Sequence, residues 1–211
     1  MADDMLRLMN VLGFETFRLV AHDRGARVAH RMCRDAAQRI EKVSLLDIVP
    51  TTEIYAKSDK ALATAYYHWF FLIQPQPLPE RMIGGDPLFY LHHTLGGWGS
   101  SGSGFYHPDA IAEYERCFNS PEAIHAYCED YRAGASIDLD DDAADDALKI
   151  RCPLQVLWGA NGVIGSNFDV LDCWRRYASG PVSGEGLDAG HFMAEEQPDR
   201  VLALLRDFLA G

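Results

Sequence analysis

Basic residues, paired cysteines and long apolar runs are all scarce in this sequence. Its 211 residues include 19 Lys and Arg against 31 Asp and Glu, which gives a formal net charge of −12. Such a surface repels nucleic acids and anionic membranes. No stretch approaches the roughly 20 apolar residues of a membrane span, and Asp3 and Asp4 stand where a signal peptide carries basic residues. We therefore expect a cytoplasmic protein that binds neither nucleic acid nor membrane.

The sequence also offers no metal-binding motif. Its five cysteines are odd in number and form no Cys-x-x-Cys pair, which is typical of reduced thiols in a cytoplasmic protein. The acidic run at 138–146 has no glycine for the sharp turn of a calcium loop, so we interpret it as a solvated hinge. The sequence therefore predicts no metal and no cofactor.

Strand and helix patterns alternate at both ends of the chain. Short apolar runs predict strands at 17–22, 42–49, 154–158 and 183–187. Helical spacing predicts helices at 1–11, 25–34, 170–177 and 198–209. This order predicts an α/β fold with a parallel sheet. The intervening segment is aromatic and helical in texture, with a helix at 55–73 and two more within 108–132. We interpret residues 53–148 as an inserted helical cap domain and residues 1–52 and 149–211 as the α/β core.

One pentapeptide lies between the first predicted strand and the first helix of the core. Ala21-His22-Asp23-Arg24-Gly25 has the form small-x-nucleophile-x-Gly, which is typical of the nucleophile elbow in α/β hydrolases. Small flanking residues allow the sharp turn that projects the nucleophile at the edge of the sheet. Asp23 is therefore a candidate nucleophile. The alternative is that Asp23 caps the helix, a position that aspartate favours.

Two further residues extend this pattern. His191 lies in Asp188-Ala189-Gly190-His191-Phe192, between the last predicted strand and the last helix. Asp47 lies at the end of the second strand, on the edge of the sheet where ligands bind in open α/β folds. The chain order Asp23, Asp47, His191 is nucleophile, acid, histidine, the order that α/β hydrolases use.

Several longer motifs resemble the fluoroacetate (haloacetate) dehalogenases of the α/β-hydrolase superfamily. The resemblance extends over nearly the whole chain and rests on His22-Asp23-Arg24-Gly25-Ala26-Arg27-Val28, Asp47-Ile48-Val49-Pro50-Thr51, His68-Trp69, Cys128-Glu129-Asp130-Tyr131-Arg132-Ala133-Gly134 and Gly190-His191-Phe192. It implies hydrolysis of a carbon–halogen bond in a small haloacid. In that scheme Asp23 forms an ester with the substrate, and His191, oriented by Asp47, activates the water that hydrolyses it.

The resemblance also implies roles for residues around the elbow. Arg24 and Arg27 correspond to a clamp for the substrate carboxylate, which guanidinium groups bind through paired hydrogen bonds. His68, Trp69 and Tyr131 correspond to a cradle that donates hydrogen bonds to the departing halide. Trp98 matches a family tryptophan less securely because it lies in a glycine-rich stretch.

Members of that family carry a longer N-terminal part, with further strands and a His-Gly-x-Pro turn that helps to form the oxyanion hole. We therefore expect this sequence to contain the C-terminal half of the sheet and to be partial or truncated. The strand that leads into Asp23 then becomes an exposed edge. Expressed alone, such a chain is expected to self-associate, to aggregate or to be weakly active.

Two alternatives differ from haloacetate hydrolysis. An epoxide hydrolase uses the same Asp-His-Asp set with two cap tyrosines, for which Tyr131 and one of Tyr55, Tyr66 and Tyr67 are candidates. Arg24 and Arg27 favour a carboxylate substrate instead. The second alternative is an inactive fragment that acts as a dimerising or binding module, and the sequence leaves a homodimer open.

Overall fold

The computed structural model of the chain describes residues 1–100 and 102–211. Its sheet has four parallel strands, which lie side by side in chain order. The strands are β1 (Phe17–His22), β2 (Ile40–Leu46), β3 (Leu154–Gly159) and β4 (Val182–Leu187). The predicted α/β fold with a parallel sheet is therefore confirmed.

Helices connect and cover these strands. In chain order they are α1 (Ala2–Val11), α2 (Asp23–Asp35), α3 (Thr51–Ala56), α4 (Lys60–Ala65), α5 (Tyr67–Phe71), α6 (Leu78–Gly84), α7 (Pro87–Leu95), α8 (Pro108–Phe118), α9 (Pro121–Gly134), α10 (Ile137–Ala144), α11 (Val163–Asn167), α12 (Val170–Tyr177), α13 (Met193–Glu196) and α14 (Pro198–Ala210). Among the described helices, none combines the length and the apolar character needed to cross a bilayer.

The two central strands form the most buried part of the sheet. Val43 and Leu45 of β2 and Leu154 and Val156 of β3 are fully buried, as expected for parallel strands that are covered on both faces. Their near-continuous apolar sequence follows from that double coverage. β2 is shorter than predicted, because it ends at Leu46 and Asp47 leaves the strand with a φ of 50°.

β1 is an edge strand of this sheet and is only partly covered. Val20 is 46% exposed, and α1, which precedes the strand, has no buried residue. Further large apolar side chains are exposed nearby, namely Met1, Met5, Leu8, Val11, Leu12 and Phe14. An apolar edge with unpaired backbone groups favours association with other chains. The expected self-association or weak activity of the isolated chain stays a prediction.

The segment between β2 and β3 is helical, from Thr51 at the start of α3 to Ala144 at the end of α10. These bounds lie close to the predicted 53 and 148, and the division into two domains stays a prediction. The single helix predicted at 55–73 is wrong. Asp59 accepts a hydrogen bond from the backbone of Leu62 and starts α4, and Tyr66 has non-helical backbone angles between α4 and α5. His68 and Trp69 thereby come to lie on the short helix α5.

The acidic run is predicted as a solvated hinge. The hinge is wrong, whereas Asp138, Asp140, Asp141 and Asp146 are exposed to solvent as expected. Most of the run forms α10, which packs against α2 through arginine–carboxylate pairs. Arg34, whose side chain is 2% exposed, donates to Asp142 Oδ1 at 2.6 Å and to backbone oxygens at the end of α10. Arg31 donates to Asp145 Oδ2 at 2.7 Å. Two of the six aspartates of the run are therefore paired with α2, and the other four are exposed to solvent.

Loss of the buried guanidinium should destabilise the fold. Arg34→Ala leaves Asp142 and the carbonyl groups at the end of α10 without their donor, so we expect the free energy of unfolding to fall by about 2–4 kcal/mol. The measurement is chemical denaturation followed by circular dichroism. Arg31→Ala is the matched control, because Arg31 is more exposed and should cost less than about 1 kcal/mol. An equal fall in the free energy of unfolding of the two variants would contradict the larger contribution that we assign to Arg34.

Candidate active site

A small enclosed cavity lies where β1, β2 and β4 end, beneath helices α5 and α9. Its volume is about 10 Å³, which is room for roughly one water molecule. The lining residues are Asp23, Arg27, Asp47, Tyr66, His68, Trp69, Trp98, Tyr131 and His191. All the predicted site residues except Arg24 line this cavity. Tyr66, a candidate tyrosine of the epoxide alternative, and Trp98, the match to a family tryptophan, line it as well.

Asp23 stands at the junction of β1 and α2. It is the first residue of α2 and has a φ of 48°, a backbone conformation that is uncommon outside glycine and costs energy. The N-cap residue of α2 is His22, and its side chain forms no capping hydrogen bond with the described residues. The alternative that Asp23 is the helix cap is therefore wrong. Its strained turn is the geometry that a nucleophile elbow requires.

The carboxyl group of Asp23 is held in its ionised form. Desolvation opposes the charge, but the neighbouring histidines and arginines outweigh this effect and lower the pKa of Asp23 from 3.8 to about 2. These groups are, in order of effect, His191, His22, Arg27 and Arg24. A carboxylate with this pKa is anionic throughout the neutral range, which is the form that acts as a nucleophile.

His191 and Asp47 form a buried hydrogen-bonded pair. His191 Nδ1 lies 2.6 Å from Asp47 Oδ2, and the other ring nitrogen, Nε2, lies 3.9 Å from Asp23 Oδ1. Asp47 Oδ1 also accepts a hydrogen bond from the backbone N–H of Gly159 at 2.9 Å. Both oxygens of Asp47 are thus occupied, and its carboxylate fixes the imidazole with Nε2 facing Asp23.

Gly159 allows the loop that carries His191 to approach the sheet. A Cβ at this position would lie 2.0 Å from the backbone oxygen of Gly190. Any other residue would therefore push the segment before His191 away from the end of β3. The same peptide holds Asp47 through its N–H, so Gly159 positions both members of the pair.

The protonation of His191 should determine how the turnover rate falls at acidic pH. Burial opposes its charge, but the hydrogen bond and charge of Asp47 outweigh this and raise the pKa of His191 above 6.5. Below that pKa the imidazole is protonated and cannot act as a base, so turnover should fall about tenfold per pH unit. A histidine NMR titration and a pH–rate profile should give one midpoint, above 6.5. Asp47→Asn should move it to lower pH, and an unchanged midpoint would contradict the assignment.

Two other histidines close to this pair, His22 and His68, should not contribute to that profile. Burial lowers the pKa of His22 and lowers the pKa of His68 to about 3. Both rings are therefore neutral in the neutral range. His22 was not predicted as a site residue beyond its place in the motif, yet its Nε2 donates to the backbone oxygen of His191 at 2.9 Å. Its ring also packs on that of His191, with 4.5 Å between centroids, so His22 helps to hold the candidate base.

The three predicted halide residues face the cavity together. His68, Trp69 and Tyr131 are each 3% exposed. The ring of Tyr131 lies 5.6 Å from that of His68 and 5.9 Å from that of Trp69, both edge to face. His68 Nδ1 is buried and has no hydrogen-bond partner among the described residues. The group is neutral and rich in N–H and O–H donors, a composition suited to a small anion.

Trp98 and Tyr66 complete the wall of the cavity. Trp98 has a φ of 57°, and its backbone oxygen accepts from the N–H of His191 at 3.2 Å. Its ring meets His191 edge on at 5.4 Å and lies 4.6 Å from His68. Tyr66 stacks on Trp69. The glycine-rich stretch around Trp98 therefore carries a site residue, because Gly99 permits a close backbone approach to Asn161.

Arg27 lines the cavity and carries a positive charge and a free donor. Its Nη1 donates to Thr51 Oγ1 at 2.9 Å and to the backbone oxygen of Val49, and its guanidinium lies 4.6 Å from the centroid of Trp69. Nε is buried and has no partner among the described residues. Burial and Arg24 lower the pKa of Arg27 to about 10, so it stays protonated at neutral pH. An anionic ligand would satisfy this donor.

Arg24 does not line the enclosed cavity. It faces a larger groove of about 670 Å³ between α2, α9 and α10, which it shares with Arg27. Its Nε donates to Asp130 Oδ2 and its Nη2 donates to the backbone oxygen of Asp130 at 2.9 Å. Arg24 is therefore already paired with α9, and the motif gave no indication of that pairing.

Among the described residues, one group of side chains away from this site has the spacing of metal ligands. It consists of Glu80, His125 and Glu129 on α6 and α9. Arg132 donates to both carboxylates, so a guanidinium already compensates their charge. This arrangement is an ion-pair network in the structure.

The sequence and the structure were compared with known proteins. No protein-family model matches the chain. The fluoroacetate dehalogenase of a Burkholderia species is 40% identical over 216 residues, which cover the whole chain and 69% of that relative. A solved protein of Nostoc sp. PCC 7120, described as an α/β hydrolase, has a TM-score of 0.96 and 52% identity over 99% of this chain and 71% of its own. A solved variant of a Pseudomonas aeruginosa protein described as an epoxide hydrolase has a TM-score of 0.92, with 42% identity over 99% of this chain and 70% of its own.

These similarities, together with the parallel sheet, define an enzyme of the α/β-hydrolase type. The identity to the Burkholderia protein extends over the whole chain. The chain therefore belongs to the fluoroacetate dehalogenase family within the α/β hydrolases.

Proposed function

We propose that this enzyme hydrolyses the carbon–halogen bond of a haloacetate and produces glycolate and halide through an ester on Asp23. The observation that carries the proposal is the pairing of an ionised Asp23 with the unpartnered Nε of Arg27 in one enclosed cavity. An anionic nucleophile repels an anionic substrate unless a cation holds the substrate carboxylate, and Arg27 supplies that cation.

The first step is a displacement at carbon. A carboxylate oxygen of Asp23 attacks the carbon that bears the halogen, a carbon–oxygen bond forms, and the carbon–halogen bond breaks with its electron pair on the halide. His68, Trp69 and Tyr131 then supply donors to the halide. Fluoride benefits most, because it is a strong hydrogen-bond acceptor and a poor leaving group. The substrate carboxylate stays on Arg27, with Arg24 at the edge of the groove.

The second step is hydrolysis of the ester. His191 takes a proton from water through Nε2, and the resulting hydroxide attacks the carbonyl carbon of the Asp23 ester. The backbone N–H of Arg24 lies in the first turn of α2, where helix N–H groups have no intrahelical acceptor, and can stabilise the oxyanion. Collapse of the intermediate releases glycolate and regenerates the Asp23 carboxylate. His191 then returns its proton to solvent.

Epoxide hydrolysis is the second candidate, because the cavity holds two tyrosines. Tyr131 and Tyr66 both line it, whereas the other two candidates, Tyr55 and Tyr67, do not. Two hydroxyl groups in the cavity suit protonation of an epoxide oxygen. Arg27 makes this reaction less favoured, because a neutral epoxide has no carboxylate to accept a hydrogen bond from its buried Nε.

A competition between substrates tests the proposal. Halide release from fluoroacetate and chloroacetate is measured beside diol formation from a small aliphatic epoxide. The chain is assayed as it is and also joined to the part of the Burkholderia dehalogenase that it does not cover, because β1 is an exposed edge. We expect halide release and no diol. Diol formation without halide release would favour the epoxide reaction, and neither product from the joined protein would favour an inactive binding module.

A further inference from the structure

The pair formed by Arg24 and Asp130 joins two elements that are far apart in the sequence. Arg24 lies in the first turn of α2 and Asp130 lies on α9, and their side chains are 16% and 13% exposed. Asp130 accepts from two of the three guanidinium nitrogens, Nε through its carboxylate and Nη2 through its backbone oxygen. Two bonds to a planar group fix its orientation as well as its position.

The rest of α9 is shaped around the same guanidinium. Arg24 lies over the ring of Tyr131 at 4.7 Å from the centroid, a favourable contact between a cation and an aromatic face. A Cβ at Gly134 would lie 3.1 Å from Arg24 Nη2 and 3.3 Å from Nη1. Asp130, Tyr131 and Gly134 therefore surround Arg24 and leave Nη1 as the nitrogen without a partner among the described residues.

We propose that Asp130 is a positioning residue that fixes Arg24 to bind the substrate carboxylate and joins this arginine to Tyr131 in the halide site. The inference rests on the proposed function. Without Asp130 the long arginine side chain would sample many rotamers, and each productive carboxylate contact would cost more entropy. Asp130 holds Arg24, which binds the carboxylate. The next residue of α9, Tyr131, is one of the proposed halide donors.

Asp130 has one feature that a simple ion pair between helices does not explain. Its Oδ1 is buried and has no hydrogen-bond partner among the described residues. A buried acceptor without a donor is unfavourable. A carboxylate that was present only to dock α9 on α2 would be more stable with both oxygens paired. The geometry instead orients Arg24 through Nε and Nη2 and leaves Asp130 Oδ1 unpaired.

Three variants separate orientation from charge. Asp130→Ala removes the side-chain acceptor and the charge, whereas Asp130→Asn removes the charge and keeps a side-chain oxygen that can accept from Nε. Asp138→Ala is the matched control, since Asp138 interacts with Arg24 only through its charge. Binding of acetate is measured by calorimetry, without turnover, and KM and kcat are measured for chloroacetate.

The expected results differ between the variants. Asp130→Ala should weaken acetate binding about tenfold and raise KM equally, with kcat within about threefold, because carboxylate binding is the same in the ground and transition states. Asp130→Asn should bind acetate at least as tightly as the unchanged chain, and Asp138→Ala should stay within about threefold. Gly134→Ala, which retains Asp130 but displaces the guanidinium, should also weaken acetate binding.

Other outcomes would overturn the proposal. Tighter acetate binding in both Asp130 variants would mean that Asp130 acts only through its charge. A lower melting temperature with unchanged acetate affinity would mean that it only docks α9, and absence of acetate binding by the unchanged chain would remove the role altogether. Acetate binding without halide release from any haloacetate would contradict the proposed function instead, so the two failures are distinguishable.

Discussion

Asp23→Ala should abolish halide release from chloroacetate, with a loss of about four orders of magnitude or more. The reason is that the proposed first step has no other nucleophile. Among the described residues that line the cavity, the second carboxylate is Asp47, and both of its oxygens are engaged by His191 and Gly159. A water molecule could attack the substrate in place of Asp23, but the strained turn would not position it as it positions the carboxylate. Halide release is followed by ion chromatography over many turnovers of the unchanged chain.

Asp35→Asn is the matched control for this experiment. Asp35 is an exposed aspartate at the other end of α2, where it pairs with Arg31. It should retain activity within about twofold, because surface changes of this kind have small effects. Asp23→Asn should also be inactive, since an amide is a much weaker nucleophile than a carboxylate. Full halide release by Asp23→Ala would end the two-step scheme.

His191→Asn should release about one halide per active site and then nearly stop. In the proposed scheme the histidine acts only in the second step, so the ester still forms and accumulates. Steady turnover should fall about a thousandfold, the range expected for loss of a general base. Mass spectrometry should then find about 58 Da added to the peptide that contains Asp23, the mass of a carboxymethyl ester.

The control for His191→Asn is a histidine outside the cavity. His93 lies exposed on α7 and stacks on Phe89, so His93→Asn should turn over like the unchanged chain. A His191→Asn variant that shows neither a burst of halide nor an added mass would place His191 in the first step. Steady turnover at the unchanged rate would remove His191 from the reaction.

The local pattern of the sequence was sufficient for the sheet and for the chain order of the central residues. Apolar runs followed by helical spacing predicted the four parallel strands, and Asp23, Asp47 and His191 each lie just after a strand or in the loop that follows it. Because parallel strands end at the same edge of the sheet, these three side chains had to come close together. The positive φ of Asp23 agrees with the sharp turn that the pentapeptide predicts.

Contacts between distant parts of the chain could not be predicted in this way. The partner of Arg34 is 108 residues away, and that of Arg24 is 106 residues away. The sequence of the acidic run does not reveal that two of its aspartates pair with arginines of α2. The sequence analysis therefore predicts a hinge where the structure has the helix α10. Trp98 lies in a loop and Tyr66 lies between two helices, and both line the cavity. At such positions neither strand spacing nor helix spacing predicts which way a side chain points.

The central claim is that the substrate becomes an ester on Asp23, and a single turnover in water enriched in the heavy oxygen isotope tests it most directly. Enzyme in excess over chloroacetate is allowed to react once, and the glycolate and the peptide containing Asp23 are analysed by mass spectrometry. If water attacks the carbonyl carbon of the ester, the label enters the Asp23 carboxylate and the glycolate is unlabelled. Label in the glycolate hydroxyl, with none in Asp23, would show that water attacks the substrate directly and would contradict the account.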